Sequence, residues 1–478
     1  MGDSRPCGVS PGRVPLPPPG HEIANAHAGG PSEAGKWPLV KPPVGKLIGT
    51  ALRRCRDAEV VWEERTDIDL ADPDYRRHSS GWGLRVNQEG RSGWTWGSLE
   101  ETPESLLERA VYDARKGPKD SVLFSHGLPF TGQASSPPTV EPLPHLASLS
   151  RLVDRLRFLV PSIVPKRTIT IRAGLRMQQI CLVTRAGEQF GQRVVYHVNV
   201  KATDGLPLSA NLLASRLRES PADLLMSLAW RSAHSEEIRQ APEGVQPAVF
   251  TEDATGALLR DMIGEHFDAS HFLTQPDLAA PWGETWLSEE VTIEDNGLLP
   301  SGPGSVPFDG EGQARRPVAL VHAGVVHHHL ADRYHAKKLG VGAAGLAVRE
   351  WGQPPRPGYS NLAMLPGKHT TGELARRIGN GIILDSLAPC DAPREPGEFV
   401  RVAQIAFRVQ NGRPTHRLQP FLVRGRFTDI LGKGLIGVGA ERAWNLRCFT
   451  PPIASASITC EALPAEVKAS EERGGDWW

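Results

Sequence analysis

A chain of 478 residues is too long for one ordinary core and points to two domains. Its 54 basic and 54 acidic residues cancel, which speaks against a nucleic-acid binder, because such proteins use a surplus of Lys and Arg against phosphates. With 40% apolar residues and no apolar run near the roughly 18–20 residues of a membrane helix, the expectation is a cytoplasmic chain with no membrane segment.

Residues 1–45, with PGRVPLPPPG and PSEAGKWPLVKPP, are rich in Pro and Gly and read as a disordered tail without a signal peptide. An amino-terminal α+β domain is expected over 46–240. Its first strands are the runs 58–63, 83–86 and 94–96. A helix follows, with Thr102 as N-cap, Pro103 in the first turn, Leu106, Leu107, Ala110, Val111 and Ala114 on one face, and Gly117-Pro118 as the stop. After a loop over 126–145, a second amphipathic helix places Leu149, Leu152, Val153, Leu156 and Leu159 at three-to-four spacing. Two strand-like runs then flank a turn at 185–187, and residues 196–201 alternate with period two as a half-buried antiparallel strand should. A further helix is expected over 209–234.

A β-rich domain is expected over 245–463, followed by a flexible tail over 464–478. It opens with a helix over 251–267 carrying the stripe Leu258, Leu259, Met262, Ile263. The runs EEVTIED, RPVALVHAG, SNLAMLP, IILDSL, VRVAQIAFRVQNG, RLQPFLVRG and IASASITC follow as short strands, with Gln410-Asn411-Gly412 as a hairpin turn. The fold class is therefore α+β: an amino-terminal antiparallel sheet with amphipathic helices, then a curled, barrel-like β domain.

The six cysteines, Cys7, Cys55, Cys181, Cys390, Cys448 and Cys460, are scattered without CxxC spacing, so no zinc knuckle or redox pair is indicated. His327, His328, His329 and His335 form the densest imidazole group. On a strand His327 and His329 would share a face, so His327, His329 and His335 are the one internally credible metal site. His266 and His271 in HFDASH repeat a five-residue step, but Phe267 stands where a general base would be, and they read as surface histidines.

Residues 302–367 carry PGSVPFDGEGQARRPVALVHAG early and PPRPGYSNLAMLPG at their end. These segments resemble the carboxy-terminal domain of the TldD/PmbA family, two-subunit metallopeptidases once called modulators of DNA gyrase. The Tyr334, Ala336, Leu339, Gly340 pattern and GRFTDILGKGLIGVG are also similar to that family. Its catalytic member carries HExxxH on the helix that here reads Arg260, Asp261, Met262, Ile263, Gly264, Glu265. The histidines hold zinc there and the glutamate activates water. Arginine has no lone pair to offer, and one carboxylate falls short of the three ligands a catalytic zinc requires.

The resemblance thus implies the non-catalytic, TldE-like subunit, with no catalytic residue and no metal in this chain. It implies zinc in a TldD-like partner, a heterodimer, and a peptide substrate held as an added strand, as in leader-peptide trimming. A third zinc ligand of the catalytic member is a late cysteine. Cys448 stands in that region, but Phe449 replaces the glycine that usually follows, so a buried structural thiol is expected. Arg356, Asn361, Gly397 and Cys448 are the residues expected at a substrate groove or interface, with the 354–361 stretch as a stiff wall. The alternative is a self-sufficient metal-dependent hydrolase built on His327, His329 and His335, and a third reading is a binding protein for a DNA-associated partner.

Overall fold

The structure, a computed structural model, describes residues 44–70, 76–117, 119, 124, 142–217 and 220–470. Residues 1–43 of the tail expected over 1–45, residues 126–141 of the loop expected over 126–145 and the last eight residues of the predicted carboxy-terminal tail lie outside the described residues; 44–45 and 142–145 are helical.

The first half runs α1 (Val44–Arg54), β1 (Asp57–Asp69), β2 (Arg76–Gln88), β3 (Arg91–Gly97), α2 (Pro103–Lys116) and α3 (Pro142–Ile163). It continues through β4 (Ile169–Thr184), β5 (Gly187–Ala202), β6 (Leu208–Ala214) and α4 (Ala222–Ala233). Its six strands form one antiparallel sheet in the order β3-β2-β1-β4-β5-β6. In β5, Tyr196, Val198, Val200 and Ala202 are buried while Lys201 is exposed, the alternation of a sheet with one covered face. Helices α1 and α2 pack against β1–β3 through Leu47, Leu106, Leu107 and Trp82, and α3 and α4 against β4–β6 through Leu152, Leu156 and Leu228. The Thr102 hydroxyl accepts from the Ser105 amide at 3.2 Å and Gly117 closes α2, as the sequence predicts.

The run RLQPFLVRG is divided between two strands, Arg413–Leu418 and Phe421–Arg426, and the expected helix over 209–234 differs more. Residues 209–234 are not one helix: β6 takes 208–214 and only Ala222–Ala233 is helical. The Leu-rich run fits either period, and the open edge of β5 captures it, since packing context decides strand formation for such a run. Pro221 then disfavours helical geometry in the residue before it, so α4 starts there.

The second half opens with β7 (Ile238–Arg239), β8 (Gly244–Phe250), α5 (Glu252–His266) and α6 (Ala269–Phe272). Next come β9 (Ile293–Asp295), β10 (Val318–His322), β11 (Val325–Val326), α7 (Arg333–Lys338), β12 (Ala347–Val348), β13 (Arg356–Pro357), β14 (Leu362–Met364) and α8 (Thr371–Ile378). It ends with β15 (Gly381–Ala388), β16 (Glu398–Gln410), β17 (Arg413–Leu418), β18 (Phe421–Arg426), β19 (Leu435–Val438), β20 (Ala443–Asn445), β21 (Cys448–Thr450) and β22 (Ile453–Ala462).

Strands β15-β8-β22-β18-β16 pair in sequence and β16 pairs back to β15, closing a five-stranded barrel. Closure removes edges that would otherwise template further pairing. The β16–β17 hairpin turns at Asn411 and Gly412, both with positive φ (50° and 74°), the backbone that an Asn-Gly turn supplies. A second sheet, β11-β10-β9-β14-β21-β20, lies beside the barrel, and α5 packs between β15 on one side and β20 and β21 on the other. Leu258, Leu259, Met262 and Ile263 of α5 are wholly buried in the largest core, with Phe399, Phe427 and Cys448.

Candidate functional site

Helix α5 carries the positions where the resemblance would put a metal, so the polar ends of Arg260, Asp261 and Glu265 decide what this site can do. All three line a cleft of about 680 Å³ whose far wall is the loop Pro389, Cys390, Asp391, Ala392, Arg394 and its continuation into β16. Each has a partner. Asp261 receives a two-pronged bond from Arg401 of β16, Nη2 to Oδ1 at 2.7 Å and Nε to Oδ2 at 2.8 Å. The flat guanidinium matches both carboxylate oxygens, the strongest arrangement such a pair has. Glu265 Oε1 accepts from the Gly397 amide at 2.7 Å, and its other oxygen pairs with Arg394. Gly397 presents that amide with φ of +77°, a backbone that favours glycine.

Arg260 Nη1 donates to the Asn445 side-chain oxygen at 2.6 Å. Asn445 Nδ2 donates in turn to Asp253 Oδ1 at 3.1 Å, and Asp253 and Asp385 flank the buried Arg231 of α4. Burial pulls the Arg231 proton affinity down, but the two carboxylates outweigh it and hold its pKa above the ordinary value. At the start of α5, burial pushes the Glu252 carboxyl up to about 7. A continuous chain of contacts thus runs from Asp385 through Arg231, Asp253 and Asn445 to Arg260.

A zinc ion does not fit this donor set. Arg260 brings a permanent cation with no lone pair, and both carboxylates are committed to arginines, Asp261 to Arg401 and Glu265 to Arg394. Cys448 is wholly buried against α5, its Cβ 3.4 Å from where a side chain on Gly256 would begin. That is the buried position expected of a structural thiol, not of a groove residue.

The runner-up metal site is not assembled. His327 is exposed beside His322, His329 is buried with Nε2 on the Ala280 carbonyl at 2.9 Å, and His335 caps onto Asp332 at 2.6 Å. Three imidazoles engaged on separate partners cannot close on one ion, and no group of three or more metal-binding side chains exists among the described residues. The HFDASH pair also departs from expectation. His271 is exposed, but His266 is 7% exposed, with Nδ1 2.6 Å from the Leu278 carbonyl and Trp286 and Phe427 against its ring.

The other expected groove residues separate. Asn361 is fully buried and ties loops together, accepting from Gly304 at 2.8 Å and donating to Asn296 and Ser305. It holds the fold and does not face a groove. Arg356 is half-exposed at the mouth of a second cavity, paired with Glu350. Sequence reasoning missed Arg401, Arg394, Asn445 and Arg231. Arg401 had a signal: a lone arginine within the apolar strand EFVRVAQIAF requires a buried counter-charge.

Residues 243–462 match the PmbA/TldA metallopeptidase C-terminal domain. A Methanothermobacter thermautotrophicus metalloprotease is 30% identical over 42% of this chain and 44% of that protein. The TldD homologue of Haemophilus influenzae, also a metalloprotease by name, is 25% identical over 40% of each. The matched chain thus spans well under half the length of these relatives. Among solved structures, TldE from Thermococcus kodakarensis superposes with a TM-score of 0.72 at 18% identity, over 88% of this chain and 100% of that one, a likeness of fold.

Proposed function

With its carboxy-terminal half a member of the PmbA/TldD metallopeptidase family, we propose that this chain is the non-catalytic subunit of a two-subunit zinc peptidase. In this reading it has no bond-breaking residue of its own. It pairs with a TldD-like subunit that carries HExxxH and the zinc, and it walls a tunnel in which unfolded or short peptides lie as an added strand. Leader peptides of modified peptide products are one such substrate class, and the cytoplasm is the setting proposed.

The observation that carries the reading is the state of α5. Arg260, Asp261 and Glu265 are locked by Asn445, Arg401, Arg394 and Gly397, so the helix is kept as packing while its chemistry is replaced. The superposition on TldE supports the same assignment at the level of fold.

The experiment is co-expression with an HExxxH-bearing homologue, followed by size analysis and cleavage of an unstructured peptide. A joint peak whose cleavage is abolished by chelator, with no cleavage by either chain alone, is the expected result. Chelator-sensitive cleavage by this chain in isolation would refute the reading.

A further inference from the structure

Between the two halves lies a second cavity, of about 250 Å³, floored by β4 and β5 of the first sheet and roofed by the connection from β9 to β10 and the loops that precede and follow β13. Seven arginines line it, against the acids Asp309 and Glu350. Five of the seven have a carboxylate. Arg65 and Arg176 share Asp67, Arg315 has Asp295, Arg349 has Glu59, and Arg356 has Glu350 at the mouth. Arg193 and Arg447 form no ion pair among the described residues. Arg193 bonds only Gln178, through Nε at 2.8 Å, and Arg447 bonds only the Tyr359 carbonyl, at 3.4 Å, with its guanidinium over that ring.

Burial, and then the neighbouring Arg447, Arg176 and Arg315, pull the Arg193 pKa down to about 10; Glu63, which accepts from Gln178 at 3.4 Å on the same face of the sheet, acts the other way. A guanidinium stays charged regardless, so the cost remains in the fold unless an anion enters. The cavity also has polar ends that nothing fills. Both the Gln192 amide nitrogen and oxygen are buried without a hydrogen-bond partner, and so is Nη1 of Arg349, whose side chain is 2% exposed. Buried polar atoms are rarely left so, and here they line the same cavity as the two cations that lack an ion pair. Phe308, Trp351 and Tyr359 supply apolar walls.

We propose that this cavity binds a carboxylate, gripped by Arg193 and Arg447 with Gln192 and Arg349 behind. Forked N–H donors suit the two oxygens of such a group, and the volume admits about the last residue or two of a peptide. Naming a peptide terminus as the source rests on the peptidase-subunit reading, whereas the oxyanion chemistry does not.

The test is calorimetric titration of the full-length chain alone at low salt, with an acetylated tri-alanine free acid, the same peptide amidated, an amidated peptide with an internal Glu, and inorganic phosphate. The free acid should bind at least about tenfold more tightly than its amide, because the charge-assisted bonds are lost with the carboxylate. Arg193→Gln and Arg447→Gln should each weaken the free acid by about tenfold or more. Arg193→Gln should also raise the unfolding midpoint of the ligand-free chain, which separates lost binding from lost folding. Preference for the Glu side chain would keep the carboxylate and move its source. Binding of phosphate without binding of either carboxylate would overturn the proposal, as would equal binding of acid and amide or no binding at all. Since no partner subunit is present, failure here leaves the subunit reading intact, and the reverse also holds.

Discussion

At the scale of single residues, the fate of the metal position is an exchange of one kind of strong contact for another. Arg401 is 5% exposed, and Asp261 is its two-oxygen counter-ion. Asp261→Ala strands that cation, and since the aspartate is partly open to solvent a loss of about 2–4 kcal/mol is expected in urea unfolding, with Asp261→Asn costing less. A loss within about 0.5 kcal/mol would mean that Arg401 finds water instead. Glu63 gives a second readout. It is wholly buried in β1, and burial pushes its pKa up to about 7, against the pull of Arg349 and Arg193. A raised folded pKa means that this carboxyl favours folding when protonated, and the benefit fades as pH climbs from about 4.5 through about 7. Glu63→Gln should therefore gain on the parent by about 1–3 kcal/mol between pH 5 and pH 8 in denaturant midpoints. A difference that stays flat with pH rules this out. The sequence disclosed the loss of ligands, because Arg at 260 is decisive in itself. It could not disclose the replacement, because Arg401 and Asn445 come from strands, and Arg394 from a loop, more than a hundred residues away.

At the scale of elements, legibility tracks how local the deciding force is. Helix α2 was readable because its cap, its stripe and its stop lie within sixteen residues of each other. The 209–234 stretch was not, because the edge of β5 that turns its first part into a strand is a tertiary partner. The closed barrel was legible only as a run of strands; which strand closes on which depends on the β15–β16 pairing. The packing of α2 on the sheet makes a sharper statement. A side chain begun on Gly93 of β3 would stand 2.2 Å from the Ala110 carbonyl and 2.3 Å from the Ala114 amide, both backbone of α2. No rotamer can relieve a clash with backbone, so Gly93→Ala must push helix and strand apart and should cost about 2–3 kcal/mol or more. The same change at Gly264 of α5, where nothing lies within 4 Å, should stabilise by up to about 1 kcal/mol. Comparing the two midpoints checks the argument, and equal effects would contradict it.

At the scale of the whole molecule, the question is whether the two halves can open independently. Contacts between them are unusually polar and buried. Glu59 of β1 pairs with Arg349, and Arg85 of β2 with Glu311 at 3.1 Å, each of these side chains at most 9% exposed. Arg231 of α4 reaches Asp385 of β15 at 3.0 Å, and Arg417 of β17 holds the Leu206 and Pro207 carbonyls at 3.2 and 2.9 Å. Separating the halves would carry each of these ions into water, but it would also restore the hydration that burial removed, so the paired state is favoured by geometry and not by charge alone. Removing one partner breaks that balance. Glu59→Ala leaves Arg349 buried, with Nη2 deprived of its carboxylate and Nη1 already without a partner, and should cost about 3–5 kcal/mol. Because links of this type are spread along the contact from β1 to β17, opening should be shared. Hydrogen exchange in Glu59→Ala should then speed up together in β5–β6 and in the barrel strands β15–β16, although β1 pairs with none of them. Faster exchange confined to β1 and its neighbours, with the barrel unchanged, would show two units that unfold apart, and the interface would then be a contact between domains instead of a shared core.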